Sequence, residues 1–213
     1  MTTATKVRLR FAKRGDLRQV SHHDLMRCLE RMLRRARVPM AATQGFNPRP
    51  KVTFALALGL GIEAHREVVD LELSEPLGPS ELLTRLEACA PPGFAWVDAR
   101  PLPPGAAAPR PRSVAYELPL PQDRRESARA ALAAFLSSAS WPMIRRRADR
   151  DQEIDLRPHV LSADLAGDGV LGFRLAVPAQ GSARPEDVLE ALSLRDLLDE
   201  GAFLTRVDVE LDA

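Results

Sequence analysis

Cysteine is nearly absent: Cys28 and Cys89 are the two in 213 residues. Each falls on an apolar helical position, so a buried thiol is expected ahead of a disulfide or a metal ligand. No zinc or iron-sulfur site can be assembled from cysteines alone, and no cofactor is expected. Aromatic residues are scarce, with seven Phe, two Trp and one Tyr, which gives little support to a stacking platform of the RRM type. No window approaches the roughly 18 apolar residues of a membrane span, so a soluble, cytoplasmic protein with no membrane partner is expected. Catalytic signatures are missing too. Gly59-Leu60-Gly61 is too short for a nucleotide-binding loop and reads as a strand-ending turn, and Ser21 and Ser113 have no triad partners in view.

What is present is an uneven distribution of charge. Residues 1–60 hold 13 Lys and Arg against 3 Asp and Glu, a net of +10, whereas the remaining residues hold 17 against 26, a net of −9. Such a split points to a polyanion-binding region beside an acidic scaffold. The alternative is solvated charge spread over a helix.

The positive region centres on Val20 to Lys51. Ser21 is a good N-cap, Asp24 is a weaker form of the capping-box acid, and Val20 with Leu25 suits a hydrophobic staple, so a helix is expected to start at His22. Leu25, Cys28, Leu29, Met32, Leu33 and Ala36 follow helical spacing and form the expected buried stripe. Arg27, Arg31, Arg34 and Arg35 remain on the other side, to be joined by Arg8 and Arg10 if the strand face of Val7-Arg8-Leu9-Arg10-Phe11 abuts them. Several arginines on one face would neutralise several phosphates at once. Pro39 ends the helix, Met40 to Thr43 reads as a short strand, and Gln44-Gly45-Phe46-Asn47-Pro48-Arg49-Pro50-Lys51 as a turn held extended by its prolines. Gln44, Asn47, Arg49 and Lys51 supply amide and cationic donors there. Phe46 offers a stacking surface for an unpaired base, with a core plug as the slightly favoured alternative.

His22 and His23 lie in the first helical turn, where N–H groups and the helix dipole attract anions. One reading makes them phosphate donors, and a neutral histidine there could act as a general base on a ribose hydroxyl. The other reading has one packed against the next turn and one solvated. Adjacent helical histidines diverge by about 100°, which disfavours a metal site.

Beyond this region, Lys51 to Leu58 and Val68 to Leu73 read as strands, Ser80 as the cap of a helix running through Leu82, Leu83, Leu86 and Cys89, and Phe94 to Val97 as a last strand. Strand, helix, two strands, helix, strand is the split βαβ order of a ferredoxin-like domain. Pro101 to Arg112 is Pro/Ala-rich and reads as a linker. The second half gives a strand at Val114 to Leu118, a helix at Arg124 to Phe135, and a hairpin of Met143 to Arg147 with Glu153 to Leu156. A strand at Val170 to Val177, a helix at Pro185 to Leu192 and a strand at Leu204 to Leu211 complete it. Ile144 to Arg147 is a secondary basic patch, or a hairpin edge protected by charge. The expected architecture is α+β, with tandem ferredoxin-like domains of antiparallel sheet: residues 1–100, a linker at 101–112, and residues 113–213.

Arg10-Phe11-Ala12-Lys13, then Ser21-His22-His23-Asp24-Leu25-Met26-Arg27, the stretch Gln44 to Ala55, and Gly59-Leu60-Gly61 resemble the radical SAM-associated (radical SAM-linked) bacterial proteins. Ile154-Asp155-Leu156-Arg157-Pro158 and Gly181-Ser182-Ala183-Arg184-Pro185 look like further segments of that family. His23 departs from it, since the family usually carries an apolar residue there, which makes His22 the stronger site candidate. The resemblance implies a protein encoded beside, or fused to, a radical SAM enzyme, near genes for ribosomal proteins and a ribonuclease of the E/G type. Two distant cysteines cannot supply the three-cysteine cluster motif of the radical enzyme itself. By analogy of fold alone, tandem ferredoxin-like domains with a histidine on the first helix are similar to the CRISPR repeat-processing endoribonucleases.

Three functions follow as expectations. The first is a non-catalytic RNA-binding or substrate-presenting accessory protein of a radical SAM enzyme, in RNA or ribosome-related modification. The second is a metal-independent endoribonuclease with His22 as base and Lys51 or an arginine stabilising the phosphorane. The third is a protein-interaction module whose positive half docks an acidic partner.

Overall fold

The computed structural model describes residues 5–145, 151–179 and 183–212. The chain is an α+β protein that divides into two compact units. One holds the residues up to Pro111 together with Leu211 onward, and the other is Arg112–Glu210.

The first unit begins with β1 (Thr5–Lys13), whose alternation is real: Val7, Leu9 and Phe11 are buried. Helix α1 (His22–Arg35) follows, with Ser21 as its N-cap accepting the Asp24 N–H. Its far end closes when the Val38 N–H reaches the Leu33 carbonyl at 3.1 Å, with Arg37 at φ 50°, a left-handed position more often given to glycine. β2 (Val52–Phe54), β3 (Glu63–Leu73), α2 (Pro79–Glu87) and β4 (Phe94–Leu102) complete the unit. β1 pairs antiparallel with both β3 and β4. Val69 of β3 faces Leu9 of β1 on one side and Phe54 of β2 on the other, so β2 lies on the opposite edge of β3. Leu25, Leu29, Met32 and Leu33 of α1 and Leu82 and Leu86 of α2 join Val7, Leu9 and Phe11 in one core cluster. Burying each such side chain contributes about 1.5–3 kcal/mol.

Several local expectations change in this unit. The apolar run from Lys51 to Leu58 gives a strand of only Val52–Phe54, whereas β3 begins five residues ahead of Val68. Apolar character marks burial, and Leu58 is buried at 3% exposure without strand pairing. Met40 to Thr43 makes only isolated bridges, Met40 to Leu73 and Ala42 to Pro50. Gly78, not Ser80, caps α2, because Pro79 takes the first helical position where its missing N–H costs nothing. The Pro/Ala-rich stretch is framed by the end of β4 at Leu102 and the start of the next strand at Pro111. Between them Lys6 Nζ donates to the carbonyls of Ala106 and Ala107, each at 3.1 Å.

The second unit runs β5 (Pro111–Pro119), α3 (Arg125–Ser137), β6 (Pro142–Arg145), β7 (Gln152–Asp155), β8 (Val160–Leu165), β9 (Val170–Ala176), α4 (Pro185–Ala191), α5 (Asp196–Asp199) and β10 (Thr205–Leu211). Its strands stand in the order β10-β5-β9-β8, and β5–β9 and β8–β9 are antiparallel. The expected hairpin forms, but as a separate two-stranded ribbon of β6 and β7. The sheet takes β8 instead, a strand whose mostly exposed side chains carry no clear alternation. Arg146 and Arg147 of the hairpin and basic patch lie outside the described residues, as do Gly181 and Ser182. Arg145 is no exposed edge charge: at 7% exposure it donates Nε to Asp187 Oδ1 at 3.2 Å and a second bond from Nη2 to Oδ2, which docks the ribbon on α4.

Candidate nucleic-acid interface

At the start of α1, Ser21 and Asp24 satisfy each other. The Ser21 hydroxyl donates to Asp24 Oδ2 at 2.8 Å while its oxygen accepts the Asp24 N–H at 3.2 Å. Arg27 reaches back to Asp24 Oδ1 at 3.3 Å in an exposed pair. A carboxylate therefore already occupies the positive end of the helix dipole, which weakens the case for a phosphate site at this terminus. His22 is half-buried with its ring edge-on to Phe54, centroids 5.1 Å apart, and its Nδ1 is enclosed. His23 is exposed, its ring 6.4 Å from that of His22. The pair thus divides into one packed and one solvated ring. Phe54 belongs to an aromatic group with Phe11, which stacks on Phe94 at 5.0 Å and meets Trp96 at 6.1 Å. The few aromatics of this unit serve mainly as core.

Further along α1, Arg31, Arg34 and Arg35 are exposed, and among the described residues none of their guanidiniums has a hydrogen bond or an acidic partner. Arg34 and Arg35 lie in the last turn, where the negative end of the dipole stabilises cations. Arg37, a residue the sequence reading passed over, adds an exposed guanidinium just beyond the helix end. Arg8 and Arg10 do not join this face. Val7, Leu9 and Phe11 point to the side of the sheet that α1 covers, so the even-numbered side chains point away from it. Arg8 is engaged there with buried Asp70, Nε to Oδ1 at 2.7 Å and Nη2 to Oδ2 at 3.0 Å, with Lys6 at 3.3 Å from the same carboxylate. Arg10 donates to the Arg66 carbonyl at 3.3 Å.

The turn after α1 is pinned at its base. The Thr43 N–H donates to the Arg49 carbonyl at 2.8 Å, the Arg49 N–H to Thr43 Oγ1 at 3.0 Å, and the Lys51 N–H to the Ala41 carbonyl at 2.9 Å. Gly45 takes φ +130°, a conformation that side chains rarely adopt. Gln44, Phe46, Asn47 and Arg49 are exposed on this turn. The core-plug alternative for Phe46 is overturned: the residue is fully exposed. Lys51 is less available, because its ammonium pairs with Glu72 at 2.9 Å. Among the described residues no hydrogen bond or ion pair joins Gln44–Pro48 to α1.

The sequence reading also missed a cavity of about 570 Å³ on the first unit, lined by Cys28, Arg31, Met32 and Arg35 of α1 and by the segment Ala88 to Pro92 that follows α2. Both thiols are half-buried and free. No group of three or more metal-ligating side chains occurs among the described residues, and no described helix is long and apolar enough to cross a membrane.

A family model described as an uncharacterized protein conserved in bacteria (DUF2344) matches residues 6–185. The chain belongs to that family. The DUF2344 match takes in both basic surfaces of the first unit and reaches the start of α4 in the second. Among curated proteins no relative matches. A crystal structure of an unknown protein from Galdieria sulphuraria aligns over 99% of this chain and 99% of that one, at 16% identity and a TM-score of 0.28. A likeness at that level does not bear on the fold or function of this DUF2344 member.

Proposed function

We propose that the protein is a non-catalytic RNA-binding or substrate-presenting accessory protein, with two ferredoxin-like units as its scaffold. The observation that carries this reading is the row of exposed, unpartnered guanidiniums on α1. Unpaired arginines bind phosphates without first breaking an internal ion pair, and they release counterions when they do so. The Gln44 to Arg49 turn adds amide donors and one solvent-facing ring suited to an unpaired base. The resemblance to radical SAM-associated proteins supplies the partner, a radical SAM enzyme acting on RNA or ribosomal components. The split βαβ reading of each unit draws on strand order. In the first unit the fourth strand neighbours the first, then the third, then the second, and β10-β5-β9-β8 repeats that order once the β6–β7 ribbon is set aside.

The endoribonuclease reading has less support, since His22 packs on Phe54 and Lys51 is engaged by Glu72. The test is filter retention of total cellular RNA across a salt series by the wild-type chain and by Arg27→Glu/Arg34→Glu/Arg49→Glu. The expected result is salt-sensitive retention by the wild type and much weaker retention, with a shallower salt dependence, by the variant. Equal retention by the two, independent of salt, removes the reading. Co-purification with a radical SAM enzyme after nuclease treatment, with no RNA retained, favours a protein-interaction module instead.

A further inference from the structure

The cavity beside α1 combines three properties that no single structural role explains. Cys28, Arg31, Met32 and Arg35 are spaced at three, four and seven residues, so one helix face supplies a whole wall. Two guanidiniums on that wall stand one turn apart without an acidic partner, which attracts anions and repels cations. The facing segment carries Ala88, Cys89 and Ala90 with the stiff pair Pro91-Pro92, whose nitrogens offer no donors. Glu87, the last residue of α2, does not line the cavity and accepts the Trp96 backbone N–H. A volume of about 570 Å³ lies inside the range of small-molecule sites, roughly 300–1,000 Å³. It is far more than a bare phosphate fills, and the apolar wall cannot solvate a bare ion. The occupant that matches has an anionic end and a flat, weakly polar body.

We propose that this cavity binds a nucleoside monophosphate, either free or as the unpaired phosphorylated end of an RNA strand. Arg31 and Arg35 take the phosphate, the base lies against Met32 and the Pro91-Pro92 wall, and Cys28 and Cys89 line the space beside it. The RNA-end form rests on the RNA-binding reading above; the free-nucleotide form does not.

The two thiols provide the readout. The full chain is labelled with neutral iodoacetamide, and modification of Cys28 and Cys89 is followed separately by peptide mass spectrometry, with AMP as the probe. Labelling of both thiols is expected to slow about tenfold when AMP is present at roughly ten times its Kd, with a saturable dependence. Inorganic phosphate at the same ionic strength leaves the rates unchanged. Arg31→Glu/Arg35→Glu, compared with its own rate without nucleotide because two reversed charges beside Cys28 slow the thiolate, loses the protection, and an unchanged melting temperature shows that it folds. No protection by AMP overturns the proposal, as does equal protection by inorganic phosphate or full protection in the arginine variant.

A short single-stranded oligonucleotide with a 5′-phosphate that protects at lower concentration than AMP identifies the RNA end, and the reverse order identifies the free nucleotide. Because Arg27→Glu/Arg34→Glu/Arg49→Glu leaves the cavity wall untouched, the two readings fail separately. A chain that retains no RNA yet is protected by AMP loses the RNA-binding function and keeps the site.

Discussion

On α1, Arg31, Arg34 and Arg35 stand in solvent without acidic partners, whereas in the second unit Arg124, Arg145 and Arg174 are each held by carboxylates. Arg124 meets Asp196 at 2.7 Å, Arg145 grips Asp187 within the fold, and Arg174 lies 3.4 Å from Asp208 and 3.5 Å from Glu210 while donating to the buried Ser113 hydroxyl. The same residue type serves two ends. A paired guanidinium holds its own chain together and must break that contact to bind an external anion; an unpaired one is available at once. Net charge alone therefore understates the contrast between the halves, because much of the positive charge in the second is already engaged. The first unit is not uniform in this respect, since Arg8 and Lys6 share buried Asp70 and Lys51 meets Glu72.

The largest expected effect comes from the buried pair. Asp187→Ala leaves the buried Arg145 guanidinium without its carboxylate and also removes the acceptor of the Arg184 N–H at the start of α4. A loss of about 3–5 kcal/mol in urea unfolding is expected. Replacing both partners with apolar residues, Arg145→Met with Asp187→Leu, should recover most of it. A cost below about 1 kcal/mol for the single variant would mean that the pair behaves like a surface ion pair, and the contrast would collapse.

Acid should separate the two units next. Three carboxyls of the second unit are held below the usual carboxylate range. For Asp155 the main cause is the Trp141 backbone N–H, followed by the Ser140 hydroxyl; for Asp196 it is the hydrogen bond from Arg124; for Glu210 it is the Ser113 hydroxyl. A carboxyl depressed by folding contributes stability that is fully present above its unfolded value and is lost as pH falls through the folded one. The unfolded values are about 3.9 for Asp and 4.3 for Glu, so the loss begins below about pH 5 and continues past them. Each unit has one tryptophan, Trp96 in the first and Trp141 in the second. In Trp96→Phe and Trp141→Phe variants, the emission of Trp141 is expected to change at higher pH than that of Trp96. Coincident or reversed transitions would contradict this placement of acid sensitivity.

The smallest effect on stability belongs to the exposed arginines. Arg34→Ala should change the unfolding free energy by no more than about 0.5 kcal/mol while lowering the slope of log K against log salt for RNA binding by about 1. A large loss of stability with an unchanged slope would place Arg34 among the structural arginines after all.

Some of this was readable along the chain. The bounds of α1 follow from Ser21, Asp24 and Pro39, all within a turn or two of the residues they govern, and its exposed arginines follow from helical spacing against Leu25, Leu29, Met32 and Leu33. β8 was not readable, because Val160–Leu165 shows no alternation and pairs with β9 through backbone groups that side-chain type does not report. Phe46 looked like core because an aromatic ring is costly to expose, yet the pinned base of its turn carries it outward.

By itself, the sequence determined where α1 starts, which of its faces is apolar, and which half of the chain carries excess positive charge, since capping, periodicity and composition act over a few residues. Only the tertiary structure decided which charges remain available. Arg8 finds Asp70 62 residues away, Arg145 finds Asp187 42 residues away, and Cys28 shares a cavity with Cys89. Those meetings depend on how strands pair and on which face of a sheet a helix covers, and no local spacing encodes either.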